Sequence, residues 1–486
     1  MKKCLSLLLC LVLLCSVLPV STLAYGGSGA RNEKLDAAFE SGSLKLAETA
    51  LPICQPSADD LELSEGLLAY LKARTGSEDP AAELTADYSP ERLQLLSLSP
   101  SGGSALFIYA GWGLSLYGGK YHLLYPAYEK GVEDAYGNLQ TYAERYATRM
   151  FTDLIGSEGV VYSPDGRYAA VYNVKRTVYN GHFDLDPVLI DLSTGEMILT
   201  ATYPNKMKEE NAGAVTTACF SADSRTFYYM VYGRFGENRM RLCRYDLAAG
   251  TTETLLETEL QAWRPHLSMT AGGDFLVVVD DPKESALGIA ENREGSWIMD
   301  RKAPAAGMKL FRLTDLRYSA NSGYAVLAGG MGSGFSSAFQ VLEPDGDLSG
   351  FNQYLSLEKA TDRIVAMTAE EYENAIREDM ERMAGQGNQQ YAPGPDYPYR
   401  TILNVILSPD GHYALLNTSG TSREGHSRDL FLVRLDDLAV RKVGGLDAGK
   451  ILVGPLAGPY QINIEWNTED LIIGTDDGIR TYRFEY

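Results

Sequence analysis

The chain is poor in the side chains that hold metals. Of its 486 residues, 6 are Cys, 5 are His and 4 are Trp. No two histidines have the i, i+4 spacing of a metalloprotease helix, and no cysteine pair has zinc spacing. Asp184-Leu185-Asp186 lacks the glycine that a calcium loop needs at its sixth position. No metal and no other cofactor is therefore expected. Positive charge is also scarce: 43 Lys and Arg stand against 64 Asp and Glu, a net charge of −21. Phosphate backbones and anionic membrane surfaces need concentrated cations, so neither is an expected partner. Disorder is excluded by a hydrophobic fraction of 45 %.

Beyond residue 20 no run is long and apolar enough to span a bilayer. The beginning of the chain reads as an address. Lys2 and Lys3 precede an apolar run from Leu5 to Val20, and Thr22 and Ala24 place small residues at −3 and −1 of a cleavage site. This is the pattern of a secretory signal peptide over residues 1–24. Leu9 and Leu14 precede Cys10 and Cys15, which disfavours lipidation. The mature chain is expected to be secreted or otherwise extracytoplasmic, without stable membrane insertion. Three cysteines leave with the leader, and Cys54, Cys219 and Cys243 remain. Cys219 and Cys243 fall on predicted strands separated by a third. Their Cα atoms would be ~9–10 Å apart at a strand spacing of ~4.8 Å, beyond disulfide reach.

What is abundant is tyrosine, 31 residues against 14 phenylalanines, and a repeated unit. Seven four-residue turns begin at Ser99, Ser163, Ser221, Thr270, Ser319, Ser408 and Asn467. Ser163-Pro164-Asp165-Gly166 and Ser408-Pro409-Asp410-Gly411 are the clearest. Ser bonds its own backbone, Pro presets φ, and Asp-Gly closes the turn. Apolar or aromatic strands flank each turn, as in Tyr168–Tyr172 and Tyr413–Leu416, and a third strand ends in an acidic turn such as Asp191–Glu196. Four antiparallel strands recurring about every 50 residues predict an all-β propeller, seven-bladed, with six or eight as alternatives.

Ser163–Tyr168, Ser408–Tyr413 and Asp191–Glu196 resemble the repeats of TolB-type, WD-repeat-like propellers, over about residues 90–486. The resemblance implies a secreted or periplasmic scaffold for proteins, peptides or glycans, and no single ligand. The organisation read from the chain is a leader (1–24), an N-terminal helical segment (25–88) and a propeller (89–486) with insertions at 127–157 and 355–400. The last repeat holds only three strands, and Ala82–Tyr88 is expected to supply the fourth. Leu61–Lys72 reads as a helix with Leu63, Leu67, Tyr70 and Leu71 on one face.

Naming the strands of a blade a to d, the a–b and c–d turns lie on one face, and the b–c loops and d–a crossings on the other. The short turns are all of the first kind. The predicted long segments, 176–186, 280–306, 329–337 and 418–429 as b–c loops and 127–157 and 355–400 as d–a crossings, are all of the second. One decorated and one plain face are expected, with function on the decorated one. Thr368–Glu371 is a capping box, followed by Tyr372, Ile376, Met380 and Met383 on one helical face. A second helix is expected over 134–154. The candidate ligand-binding residues, chosen by predicted face and side-chain type, are His182, Arg234, Trp297, Tyr391, Arg423 and His426.

No catalytic residue is assigned. A serine peptidase needs a Gly-x-Ser-x-Gly elbow, which is absent; Gly332-Ser333-Gly334 sits in a predicted loop. The sequence thus reads as a non-enzymatic scaffold binding a protein, peptide or envelope glycan through the long-loop face. The alternative is an extracellular polysaccharide hydrolase or lyase with carboxylates at the propeller axis.

Overall fold

The structure is a computed structural model. It describes residues 31–49, 61–79, 82, 94–99, 103–109, 112–126, 131–133, 139–141, 159–172, 176–178, 181–183, 188–199, 213–233, 240–258, 264–269, 275–280, 286–293, 296–302, 312–319, 321–330, 337–342, 353–385, 396–422, 425–451, 464–466, 470–475 and 478–485. The leader, Cys54 and most of 134–154 lie outside these residues.

Among the described residues are seven antiparallel meanders of four strands each. The first is Gln94–Leu98, Ser104–Tyr109, Trp112–Tyr117 and Lys120–Leu123. The second is Gly159–Tyr162, Tyr168–Tyr172, Val188–Asp191 and Glu196–Leu199; the third is Gly213–Phe220, Thr226–Gly233, Met240–Asp246 and Thr251–Thr258. Then come Arg264–Met269, Phe275–Asp280, Ala286–Arg293 and Ser296–Lys302, followed by Arg312–Tyr318, Ala325–Gly330, Ala338–Leu342 and Tyr354–Leu357. The sixth is Thr401–Leu407, Tyr413–Ser422, Gly425–Arg434 and Val440–Val443. Ile464–Trp466, Asp470–Thr475 and Gly478–Glu485 begin the seventh. Each of the seven predicted turns lies between strands a and b of a sheet. This arrangement fits an all-β propeller.

The Ser-x-Asp turns form as their chemistry dictates. Ser163 Oγ reaches Asp165, and Tyr168 N donates to Ser163 Oγ at 2.8 Å. Ser221 and Ser408 repeat the pattern with Thr226 and Tyr413. The turns also stitch neighbouring sheets. Ser104 Oγ donates to Gly166 O at 2.8 Å, Asp165 N to Ser224 Oγ at 3.1 Å, and Ser322 Oγ to Gly411 O at 2.9 Å. Strand a carries an irregularity in register at a matching place in the third, fifth and sixth sheets, and nearer the turn in the first.

The fourth strand of the seventh sheet is Lys45–Thr49, paired antiparallel with Gly478–Glu485. The expected closing stretch, 82–88, lies outside the described residues except for residue 82. Lys45–Thr49 follows helix α1 (Glu33–Ser41), which Asn32 caps and Gly42 ends in the left-handed conformation. Phe39 of α1 is fully buried between Arg434, Arg441 and Tyr413. Leu35, Phe39, Leu44 and Leu46 share one core with the sixth and seventh sheets. Ile472 of the seventh sheet packs into the core of the first.

Several expectations need correction. The helix expected over 61–72 is α2, Glu65–Thr75, capped by Ser64. Leu61–Glu62 is a short strand that pairs parallel with Tyr121–His122 at the edge of the first sheet. Segment 280–306 is not a b–c loop; it contains strands c and d of the fourth sheet. Segments 176–186 and 418–429 are b–c connections, but they are hairpins. Arg176–Val178 pairs with Gly181–Phe183, and the sixth sheet's central strands stay paired up to Ser422↔Gly425. Of the 134–154 stretch, Leu139–Thr141 is a strand, paired with Gly131–Glu133. Cys219 and Cys243 do flank an intervening strand, pairing with Tyr228 and Tyr229 respectively, and carry thiols.

Candidate binding face

The 355–400 insertion begins as sheet. Ile364–Met367 adds a fifth strand beside Tyr354–Leu357. Helix α3, Ala369–Gly385, follows at once. Its capping box is formed: Glu371 N donates to Thr368 Oγ1 at 3.2 Å, and Thr368 N donates back to Glu371 Oε2 at 2.8 Å. The Thr368 amide and, at 3.0 Å, the Thr368 hydroxyl both donate to the Glu371 carboxyl and hold it below its usual range.

The buried face of α3 is Tyr372, Ile376 and Asp379, at 2 %, 1 % and 4 % exposure. The apolar repeat had placed Met380 on that face. The helix is rotated instead, because Tyr372 has a specific partner. Its hydroxyl meets Ser337 Oγ at 2.8 Å, and the Tyr397 hydroxyl meets the same oxygen at 2.9 Å. Tyr372 also stacks on Tyr354, with ring centroids 5.0 Å apart. Burial pushes the Tyr397 and Tyr354 hydroxyls up, out of reach of physiological pH. These groups are structural bolts, not proton carriers. Met380 is left 60 % exposed, the one exposed large hydrophobic among the described residues. Glu378, Glu381, Arg377 and Arg382 are exposed around it.

The insertion returns through Arg400, which is nearly buried and ties it to the sixth sheet. Its Nη1 donates to Asp429 at 2.7 Å and its Nη2 to Asp362 at 3.0 Å, with the guanidinium lying over Phe431. Burial alone would raise the Asp429 carboxyl. The hydrogen bond from Lys442 and the charge and hydrogen bond of Arg400 outweigh it and hold the carboxyl low. Lys359 Nζ donates to Thr421 O on the b–c hairpin at 2.9 Å. Burial lowers the Lys359 ammonium, and Asp379 opposes that. The insertion and the hairpin are thus held to one another through ionic and polar contacts.

Of the predicted site residues, His426 lies exposed on the sixth-sheet hairpin, with Nδ1 3.2 Å from Thr421 Oγ1. His182 is on the hairpin of the second sheet. Trp297 lies beside the c–d turn of the fourth sheet, paired with Asn292, and so at the plain end. Its expected place depended on reading 280–306 as one b–c loop. Arg234, Tyr391 and Arg423 lie outside the described residues. Of the three described, His182 and His426 lie on b–c hairpins of different sheets and Trp297 beside a c–d turn. Sequence reasoning missed Ser337, Arg400, Asp362 and Asp429. Arg400 and Asp429 carried a signal, since each is a charge beside an apolar strand, but their pairing spans 29 residues.

Among the described residues, no group of three His, Cys, Asp or Glu side chains is placed to hold a metal, and no helix is long and apolar enough to cross a membrane. The buried carboxylates Asp191, Asp379 and Asp410 each have a structural partner: Arg167 with Ser193, Arg382, and Ser408 with the Asn32 amide.

No protein-family model matches the chain, and no curated protein matches it. Solved structures similar to it are propellers. One is an oligogalacturonate lyase in complex with manganese, at 13 % identity and a TM-score of 0.40, covering 82 % of this chain and 91 % of that one. Another is the Dos1 propeller, at 11 % identity and a TM-score of 0.37, covering 81 % and 92 %. A third is a putative TolB from Agrobacterium tumefaciens, at 14 % identity and a TM-score of 0.30, covering 58 % and 81 %. Likenesses this distant carry no argument about activity.

Proposed function

We propose that the protein is a secreted, non-enzymatic propeller of seven blades that binds a protein, peptide or envelope glycan through its b–c and d–a face. The N-terminal strand Lys45–Thr49 completes the last blade, and the packing of Ile472 into the first sheet supports closure of the ring. The observation that carries the binding reading is the anchoring of α3. Its inner face is fixed by Ser337, Tyr354 and Tyr397, while Met380 faces outward. A rigid element loses little conformational entropy on binding, and an exposed apolar side chain gains by being covered. That chemistry suits a polypeptide partner better than a sugar.

The test is a pull-down with residues 25–486 against secreted and envelope fractions, alongside a glycan panel. A doubly substituted chain, Met380→Asp with Arg377→Glu, runs in parallel. Saturable capture lost in the variant, with melting unchanged, supports this reading. Capture untouched by the substitutions, or turnover of a polysaccharide in the panel, rejects it.

A further inference from the structure

The repeat supplies its own internal control. Aligning the sheets on the first residue of their turns puts Ile108, Tyr172, Met230, Ala328 and Asn417 at one position of strand b, nine residues after Ser99, Ser163, Ser221, Ser319 and Ser408. The alignment is structural as well, because each of those serine amides donates to the carbonyl five residues on. Met230 and Ala328 are buried, as expected of apolar residues there. Asn417 is also fully buried, yet it is an amide.

Strand alternation puts Asn417 on the same side as Tyr413 and Leu415, both in the apolar core shared by the sixth and seventh sheets and the N-terminal segment. Its cross-strand neighbours are Asn404 on strand a and Leu430 on strand c. Neither Asn417 Oδ1 nor Nδ2 has a hydrogen-bond partner in the protein. Arg428, which shares the Leu430 side of its strand, gives its Nη1 to Ile451 O at 3.1 Å. A buried amide with two donors and an acceptor unmet is costly, and Met230 and Ala328 fill the same position of their sheets with an apolar side chain.

We propose that Asn417 holds an internal water molecule between the sixth and seventh sheets. Asn417 presents donors and an acceptor together, which suits a ligand that both accepts and donates. Buried waters typically satisfy two to four such groups.

A crystal structure of residues 25–486 tests this directly. Density for a water within hydrogen-bond distance of both Asn417 amide atoms is expected. Water magnetic relaxation dispersion gives a second reading on Asn417→Leu and Asn417→Ala. Both variants remove the amide, so each should lose the contribution of about one long-lived water. A protein group bonded to the amide, a dry site, or unchanged dispersion in a folded leucine variant overturns the proposal. If the leucine variant does not fold, the density around wild-type Asn417 decides.

Discussion

Gly445 lies hard against Leu46. A Cβ added to Gly445 would sit 2.1 Å from the Leu46 carbonyl oxygen, and its φ of 84° is one that L residues avoid. Beside it, Leu46 N donates to Gly444 O and Gly444 N donates to Leu44 O, both at 2.9 Å. The sixth sheet therefore receives the N-terminal strand through a two-glycine seat. Gly445→Ala should destabilise the fold by roughly 2 kcal/mol or more, since both φ and the close approach must change. Thermal melting and limited proteolysis near 45–49 check this. Gly385→Ala, with open space around it, should leave melting unchanged.

The same strap depends on Phe39. Removing its ring from between Arg434, Arg441 and Tyr413 opens a cavity and leaves two guanidinium groups without a ring face. Phe39→Ala should cost about 3–5 kcal/mol. Denaturant unfolding measures it, and early loss of amide protection over 31–49 should accompany it.

Ser337 is shared by two tyrosine hydroxyls, so the three groups are unequal. Ser337→Ala leaves both Tyr372 and Tyr397 with a buried hydroxyl short of its partner. It should cost more than Tyr372→Phe or Tyr397→Phe, about 1–3 kcal/mol by the cost of an unmet buried donor. Denaturation of the three variants ranks them.

The Arg400–Asp429 pair gives a pH dependence with a definite sign. The Asp429 carboxyl is held below its usual value in the folded state. Its contribution is present above the unfolded value, about 4, and is lost as pH falls through the lower folded value. Stability should decline on acidification in that window, and less steeply in Asp429→Asn. Arg400→Met should cost about 1.5–3 kcal/mol at neutral pH, because it leaves Asp429 with Lys442 alone and removes the cation from Asp362. Melting from pH 3 to 7 reads both.

The fold was legible because its signal is local and repeated. A turn such as Ser163–Gly166 determines its own hydrogen bonds, and each apolar run beside it has the period of a strand. The capping box at Thr368 was legible for the same reason. Long-range choices were not. Lys45–Thr49 pairs with a strand more than 400 residues away, and no local pattern marks it as blade rather than linker. The orientation of α3 depended on Ser337, 35 residues upstream of Tyr372. Trp297 was misplaced because strands Ala286–Arg293 and Ser296–Lys302 carry charged and polar residues at their ends, which in sequence resemble loop.

Hydrogen–deuterium exchange of the chain with and without its captured partner tests the central claim most directly. Protection gained over 369–385 and over the hairpin 417–429, with the a–b turns at 163–166, 221–224 and 408–411 unchanged, is the predicted footprint. Protection gained at those turns, with 369–385 unchanged, would contradict the account and move the binding site to the opposite face.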